Sequence, residues 1–200
     1  MTKTKKKKKS IRAHIVFEMF KESFAINVKS LLNILEMQKI TKIPEAPPYM
    51  KGVINLRGEV LPVVDSHVKF GNPPMKITSE TCILVLDIVL KEGEKTKLGL
   101  MVDAVEEVRE IKQDAKLPPP GIGESYQSKY ITGMVQKSDE DFIMILDIDK
   151  LLSENEIIEL KKTKGKSVAK EKEKELPKKE KNNNIKDKKE LSENKDTTKT

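Results

Sequence analysis

Residues 52–65 read GVINLRGEVLPVVD and constrain the fold more than any other segment of the chain. Two apolar runs rich in β-branched residues meet at Arg57-Gly58, and this pattern predicts two strands joined by a tight turn. Pro62 lies inside the second run. Because proline cannot donate to a strand ladder, it predicts an edge strand or a bulge. No arrangement of acids, cysteine or histidine around Arg57 suggests catalysis, so the segment predicts a β-rich module with a docking surface.

Charge is distributed unevenly and predicts three regions. Residues 1–10 contain six lysines and no acid, and residues 161–200 contain fifteen lysines against eight acids. Residues 11–160 therefore keep 18 of the 39 basic and 24 of the 32 acidic residues, a net charge of −6. Runs of like charge and few apolar residues are typical of disordered segments. We expect a folded domain at 11–160 between a disordered basic arm and a disordered tail rich in lysine, glutamate and asparagine.

Short apolar runs separated by turn signals recur through residues 11–160 and predict eight or nine strands. This spacing favours a β-sandwich or barrel and lacks the longer βαβ spacing of a doubly wound sheet. Residues 29–37 fit either a helical turn or a strand. Asp65 is expected to cap one helical turn that ends at Gly71. Ser153 with Glu156 matches a capping box for a short C-terminal helix through residue 160.

The residues that could carry chemistry predict neither an enzyme nor a cofactor. The two histidines, His14 and His67, lack metal-ligand spacing, and Cys82 lies inside an apolar strand as an expected inert, buried thiol. No glycine-rich phosphate loop is present. A single cysteine fits a reducing compartment, and no segment has the pattern of a signal peptide or a membrane span. We expect a soluble cytoplasmic protein.

Two alternatives remain open from the residues alone. Arg57 could pair with a carboxylate of its own fold, or it could present its donors to a partner. The lysine arms could belong to a β-barrel that binds nucleic acid. Against this second alternative, the domain is acidic and the lysines are not interleaved with aromatic residues that could stack on bases.

Several segments together resemble the chemotaxis coupling protein family, CheW. The segment GVINLRGEVLPVVD resembles the central signature of that family, and the likeness extends over about residues 11–160 in unbroken order. The other similar segments are FAINV at 24–28, ITKIPEAPPYMKGVINLRG at 40–58, LGLMVDAVEEV at 98–108, ITGMV at 131–135 and ILDIDKLL at 145–152.

The resemblance implies a mainly β fold of two interlocked SH3-like five-stranded barrels around a shared core. It implies a non-catalytic adaptor that bridges chemoreceptor cytoplasmic tips to the histidine kinase CheA, at the cytoplasmic side of membrane-attached arrays. It places Leu31, Gly52, Arg57 and Gly58 on the first subdomain's side of a receptor-facing groove. It places Gly99, Val105 and Val108 at matching positions of the second subdomain, where the family couples to receptor or kinase.

Two positions depart from the family pattern. Asn33 stands where the family usually has a glutamate that could pair with Arg57, which leaves Glu36 as a possible substitute. The tripeptide Asp65-Ser66-His67 replaces the family's Asp-Leu-Arg. Both departures bear on the choice of partner, and Asn33 is therefore included among the expected receptor- or kinase-binding residues.

Overall fold

The computed structural model describes residues 11–89, 93–118, 130–152 and 156. The predicted basic arm and tail lie outside these residues, as does the predicted C-terminal helix apart from Glu156. Within the described part of the chain there are ten strands and one short α-helix. They are β1 Ile11–Met19, β2 Glu22–Asn27, β3 Leu31–Glu36, β4 Met50–Leu56, β5 Glu59–Asp65, α1 Ser66–Lys69, β6 Cys82–Val89, β7 Lys95–Val102, β8 Ala104–Lys112, β9 Ile131–Gln136 and β10 Phe142–Leu146.

The strands form two five-stranded sheets, and the chain passes from one to the other and back. The first sheet has the order β8-β1-β2-β10-β9, and the second has the order β3-β6-β7-β5-β4. Each sheet contains one parallel pair, β2 with β10 and β5 with β7. The prediction of a mainly β fold with two five-stranded subdomains is confirmed. The first subdomain is built from both ends of the domain, with the second inserted between them.

Three clusters of buried side chains hold these sheets together. The largest contains residues of both sheets, among them Phe17 and Ile26 from the first and Leu84 and Leu100 from the second. A smaller cluster lies within the second sheet, and another lies within the first. The shared core implied by the resemblance is therefore present. Because removing apolar surface from water is the main favourable term in folding, this arrangement stabilises the two subdomains as one unit.

The turn between β4 and β5 has the geometry that its sequence predicts. Arg57 has φ +54° and Gly58 has φ +86°. Successive residues with positive φ give a turn whose twist matches the right-handed twist of the strands. The side chain of Asn55 supports the turn, because its Oδ1 accepts a hydrogen bond of 2.7 Å from the Gly58 N–H.

The prediction of an edge strand or a bulge at Pro62 is only partly right, because the bulge of this hairpin lies in β4 between Met50 and Gly52, opposite Val63 and Val64. β5 lies between β4 and β7, so it is not an edge strand. Its pairing with β7 begins at Val63, however, and Pro62 itself pairs only with Val53 of β4. The proline therefore lies in the part of β5 that has one neighbour, where its missing N–H costs no ladder bond.

The structure decides the conformation of residues 29–37 and divides the apolar run from residue 97 to 111. Residues 29–37, which fit two conformations, form strand β3 because they pair along β6, from Leu31 with Leu86 to Glu36 with Cys82. The apolar run from residue 97 to 111 is two strands. The chain bends at Asp103, so that β7 joins the second sheet and β8 joins the first.

Asp65, His67 and Asp103 connect the two subdomains. Asp65 caps α1 as predicted, accepting from the N–H groups of His67 at 3.0 Å and Val68 at 3.4 Å. His67 Nε2 then lies 2.8 Å from the Asp103 carboxylate, at the bend between the sheets. The same Asp103 oxygen accepts from the Phe20 N–H at 3.0 Å.

No helix of the described residues is long and apolar enough to cross a bilayer.

Candidate docking groove

A shallow groove of about 220 Å³ on the second sheet contains two of the residues expected to bind partners. Asn33 on β3 forms one side, and Arg57 in the β4–β5 turn forms the other. The remaining lining residues are Leu32, Leu56, Glu59, Val85 and Lys97. The groove exists because the order of the sheet places β6 and β7 between the edge strand β3 and the β4–β5 hairpin.

The charges around the groove differ in how they are satisfied. The ammonium group of Lys97 forms an ion pair with the Glu59 carboxylate. The Arg57 side chain is exposed, and it forms no hydrogen bond or ion pair with any described residue. Glu36 forms no ion pair with Arg57, so it does not substitute for the glutamate that the family usually has where this chain has Asn33. The alternative in which Arg57 pairs within its own fold is therefore not realised in the described structure, and its five donors face solvent.

Two exposed apolar residues lie on the edge strand β3, and one of them, Leu32, lines the groove. Leu32 is 50% exposed and Ile34 is 41% exposed, both on β3. β3 is an edge strand with one neighbour, β6, so it also presents unpaired backbone groups. Leu32 lines the same groove as the unpaired Arg57, and an exposed apolar side chain beside an arginine forms a surface of the kind that protein partners cover.

Gly52 and Gly99 are both buried, and packing explains why they are glycines. A Cβ on Gly52 would lie 2.2 Å from the carbonyl oxygen of Thr41, and φ at Gly52 is +147°. A Cβ on Gly99 would lie 2.9 Å from a methyl carbon of Ile83. A role for these two glycines in binding would therefore act through the shape of the sheet. Gly58 is exposed, and there a Cβ would meet nothing within 4 Å.

The expected division of the site residues between subdomains is wrong in its order and in one member. Leu31, Gly52, Arg57 and Gly58 were expected in the first subdomain but belong to the second sheet and its β4–β5 turn. Gly99 lies on β7 in the same sheet as Gly52 and Arg57, because β7 pairs in parallel with β5. Only Val105 and Val108 lie in the other sheet, on its edge strand β8. Val108 is 64% exposed, whereas Val105 and Leu31 are partly buried against the shared core. Leu31, Gly99, Val105 and Val108 do not line the groove around Arg57.

Five residues that line the groove were not identified from the sequence: Leu32, Leu56, Glu59, Val85 and Lys97. Leu32 adjoins Asn33, and the uncertainty between helix and strand at 29–37 left its direction open. Val85 and Lys97 come from strands β6 and β7, whose position between β3 and the hairpin depends on long-range pairing. The one signal in the sequence was Leu32 itself, an apolar residue that becomes an exposed part of the groove once residues 31–36 are recognised as an edge strand.

Among the described lining residues of the groove there is no histidine, cysteine or serine, and the one acid, Glu59, is paired with Lys97. No cluster of histidine, cysteine and acid side chains suited to a metal occurs among the described residues. Cys82 is buried, and this burial raises the pKa of its thiol, which disfavours the reactive thiolate. The arrangement of an unpaired guanidinium, an amide and apolar side chains is suited to binding another protein surface.

Comparison with known proteins agrees with this geometry. The model of the CheW-like domain family matches residues 13–156. The chemotaxis protein CheW of Treponema pallidum is 29% identical over 146 residues, covering 73% of this chain and 85% of that protein. A probable CheW of Rhizobium etli is 30% identical over 145 residues, covering 72% and 90%.

A solved structure shares the fold. The crystal structure of the scaffolding protein TtCheW from Thermoanaerobacter tengcongensis superposes with a TM-score of 0.63 at 29% identity, covering 74% of this chain and 96% of that one. Nothing in the comparisons supports a nucleic-acid-binding barrel. The buried ring of Phe24 stacks on the buried ring of Phe17 and on the partly buried ring of Phe70, so these aromatic side chains pack on one another within the protein. This chain therefore belongs to the CheW family and is a chemotaxis adaptor protein.

Proposed function

We propose that this adaptor couples chemoreceptor cytoplasmic tips to the histidine kinase CheA, and that it does so without catalysis of its own. The observation that carries the proposal is the exposed, unpaired Arg57 in a groove that the half-exposed Leu32 also lines. An arginine that has no internal partner can donate to a carboxylate or carbonyl of another chain without first breaking a native bond. The adaptor acts in the cytoplasm, at membrane-attached receptor arrays.

An adaptor needs at least two surfaces that can be occupied together. The groove and the β3 edge lie on the second sheet, and the exposed Val108 lies on β8, an edge strand of the first sheet. Two edges on different subdomains allow two partners to bind without competing. Each contact can then be weak, because linked contacts in an array supply avidity. Signals pass as shifts in the populations of receptor and kinase states, through contacts that differ between those states.

Replacing Arg57 with alanine is expected to weaken binding to a receptor cytoplasmic fragment or to the CheA regulatory domain about tenfold, or 1.4 kcal/mol. Stability should change little, because the side chain makes no bond with described residues and alanine keeps the same Cβ at a positive φ. Dissociation constants from titration calorimetry measure the effect. Lys39→Ala removes an exposed cation outside the groove and should bind normally. Unchanged affinity of Arg57→Ala for both partners would remove Arg57 from the docking surface.

Leu32→Asp tests the apolar part of the same surface. A carboxylate at this half-exposed position should remain solvated in the free protein, so the melting temperature should stay within about 2 °C of the wild type. In a complex that covers the position, the charge would lose water without gaining a partner, and we expect about tenfold or greater loss of affinity. Ile77→Asp, at another strongly exposed apolar residue that does not line the groove, is the control. Equal affinities of the two variants would contradict the assignment of the β3 edge.

A further inference from the structure

A second cavity, of about 260 Å³, opens on the first sheet and is separate from the groove around Arg57. Arg12 and His14 reach it from β1. Asn27 and Ser30 reach it from the end of β2 and the turn that follows, and Lys116 from the segment after β8. Residues that lie far apart in sequence thus place two cationic groups, an imidazole, an amide and a hydroxyl around one space.

The cations of this cavity are unpaired, whereas its acids are engaged. The side chains of Arg12 and Lys116 form no ion pair with any residue that the structure describes. Two aspartates also line the cavity. Asp147 pairs with Lys150 at 3.0 Å, and Asp149 accepts from the Val89 N–H at 2.9 Å. The hydrogen bond leaves the negative charge of Asp149 in place. Counting Lys150 with Asp147, the groups around the cavity therefore carry one net positive charge when His14 is neutral and two when it is protonated.

His14 supplies a ring nitrogen that has no hydrogen-bond partner among the described residues. The residue is 2% exposed, and its Nδ1 lies 2.8 Å from the backbone carbonyl oxygen of Arg12. A carbonyl oxygen can only accept, so Nδ1 carries the proton and donates it. The other ring nitrogen, Nε2, has no hydrogen-bond partner among the described residues, although His14 lines the cavity. In a neutral ring Nε2 is an acceptor, and it donates only when the ring is protonated.

We propose that this cavity binds a phosphate group, with Arg12 and Lys116 balancing its charge and the protonated Nε2 of His14 donating to one of its oxygens. A phosphate carries between about one and two negative charges near neutral pH, which the net positive charge of the cavity with His14 protonated would balance. It has more acceptor oxygens than a carboxylate, and these match donors that arrive from several directions, including the Ser30 hydroxyl and the Asn27 amide. The Asn27 amide nitrogen is available because its Oδ1 accepts from the Lys29 N–H. This site does not depend on the proposed docking surface.

The electrostatics of the empty cavity agree with this geometry. Burial lowers the pKa of His14, and Lys116 and Arg12 lower it further, against the hydrogen bond to the Arg12 carbonyl. Burial and Arg12 likewise lower the pKa of Lys116. An anion among these groups would offset the repulsion and raise both pKa values. Phosphate binding should therefore take up a proton at His14 and should be tighter at pH 6 than at pH 8.

The test is thermal unfolding of the full chain in inorganic phosphate and in chloride at equal ionic strength, at pH 6 and pH 8. At phosphate concentrations about tenfold above the dissociation constant, we expect the wild type to gain about 3 °C or more at pH 6. The double variant Arg12→Gln/Lys116→Gln should lose this gain. The double variant Lys39→Gln/Lys42→Gln, which has the same net charge but alters exposed lysines outside the cavity, should keep it.

Ring-proton NMR gives a second measurement that does not depend on any variant folding. The chain has only two histidines, and phosphate should raise the pKa of His14 by about one unit. An unchanged pKa, or equal gains for the two double variants, would assign the effect to the lysine-rich termini and overturn the proposal. An equal response to acetate would also overturn it, in favour of a carboxylate. Tighter binding of glycerol 3-phosphate than of inorganic phosphate would identify a phosphomonoester as the ligand, and the reverse would identify free phosphate.

Discussion

Gly52→Ala is expected to lower the free energy of unfolding by about 3–5 kcal/mol, which is a large part of the stability of a domain this size. The added Cβ would lie 2.2 Å from the carbonyl oxygen of Thr41. That oxygen belongs to a bridge in which Thr41 and Val53 exchange two hydrogen bonds of 2.9 Å. Relief of the clash must move backbone atoms, because no flexible side-chain end can move instead. The positive φ of Gly52 adds strain.

The control for this variant separates lack of space from backbone conformation. Gly71 also has a positive φ, +83°, but a Cβ there would meet nothing within 4 Å. Gly71→Ala should therefore cost only about 1 kcal/mol of backbone strain. Urea unfolding of both variants measures the difference. Similar losses for the two would show that φ alone accounts for the effect. A stably folded Gly52→Ala protein that fails to bind receptor fragments would instead make Gly52 part of the docking surface.

Asp65→Ala is expected to lower the free energy of unfolding by about 3–4 kcal/mol, because several buried groups lose the same acceptor. Asp65 is 1% exposed. One carboxylate oxygen caps α1, and the other accepts from the Met75 N–H at 3.2 Å and lies 3.6 Å from the Lys51 ammonium. Met75 packs in the cluster within the second sheet. The aspartate therefore fixes the start of α1 and the loop that leads to β6.

Two matched variants divide this effect. Asp65→Asn keeps an acceptor oxygen for the cap but loses the charge, so we expect about half the loss. Lys51→Gln removes an ion pair between a lysine side chain that is 30% exposed and a carboxylate that is 2% exposed, but it leaves the hydrogen bonds of Asp65 in place. It should therefore cost about 1–2 kcal/mol, less than Asp65→Ala. Urea unfolding midpoints, with the m-values compared to confirm the same two-state transition, give the order. A loss for Lys51→Gln as large as that for Asp65→Ala would assign the role to the ion pair.

The link between the subdomains shows why a departure in one tripeptide matters structurally. Asp65 holds α1, and α1 places His67 2.8 Å from Asp103 at the bend between β7 and β8. The ring of Phe20 lies 4.7 Å from that of His67 and 5.8 Å from that of Phe70. His67 thus contacts both the charged and the aromatic sides of the joint. The sequence marked this position as unusual, but its contact with Asp103 required two strands and a helix to be in place.

Local signals predicted local features well. The turn at Arg57-Gly58, the cap at Asp65 and the buried thiol of Cys82 each follow from a few neighbouring residues. Features that depended on pairing partners were harder. β3 could not be distinguished from a helical turn until it paired with β6. Gly99 was separated from Gly52 and Arg57, although all three lie in one subdomain, because the parallel pairing of β7 with β5 leaves no mark in either segment.

The sequence by itself determined the family, the mainly β class, the tight turn that carries Arg57 and the absence of a glutamate at residue 33, because each is written in adjacent residues or in an ordered motif. Only the tertiary structure decided that Arg57 has no partner among the described residues, that Leu32 and Lys97 share its groove, and that Arg12, His14 and Lys116 surround one cavity. The physical reason is distance along the chain. Side chains from separate strands meet only when long-range pairing fixes register and sheet order, and that pairing depends on the cooperative burial of the shared core.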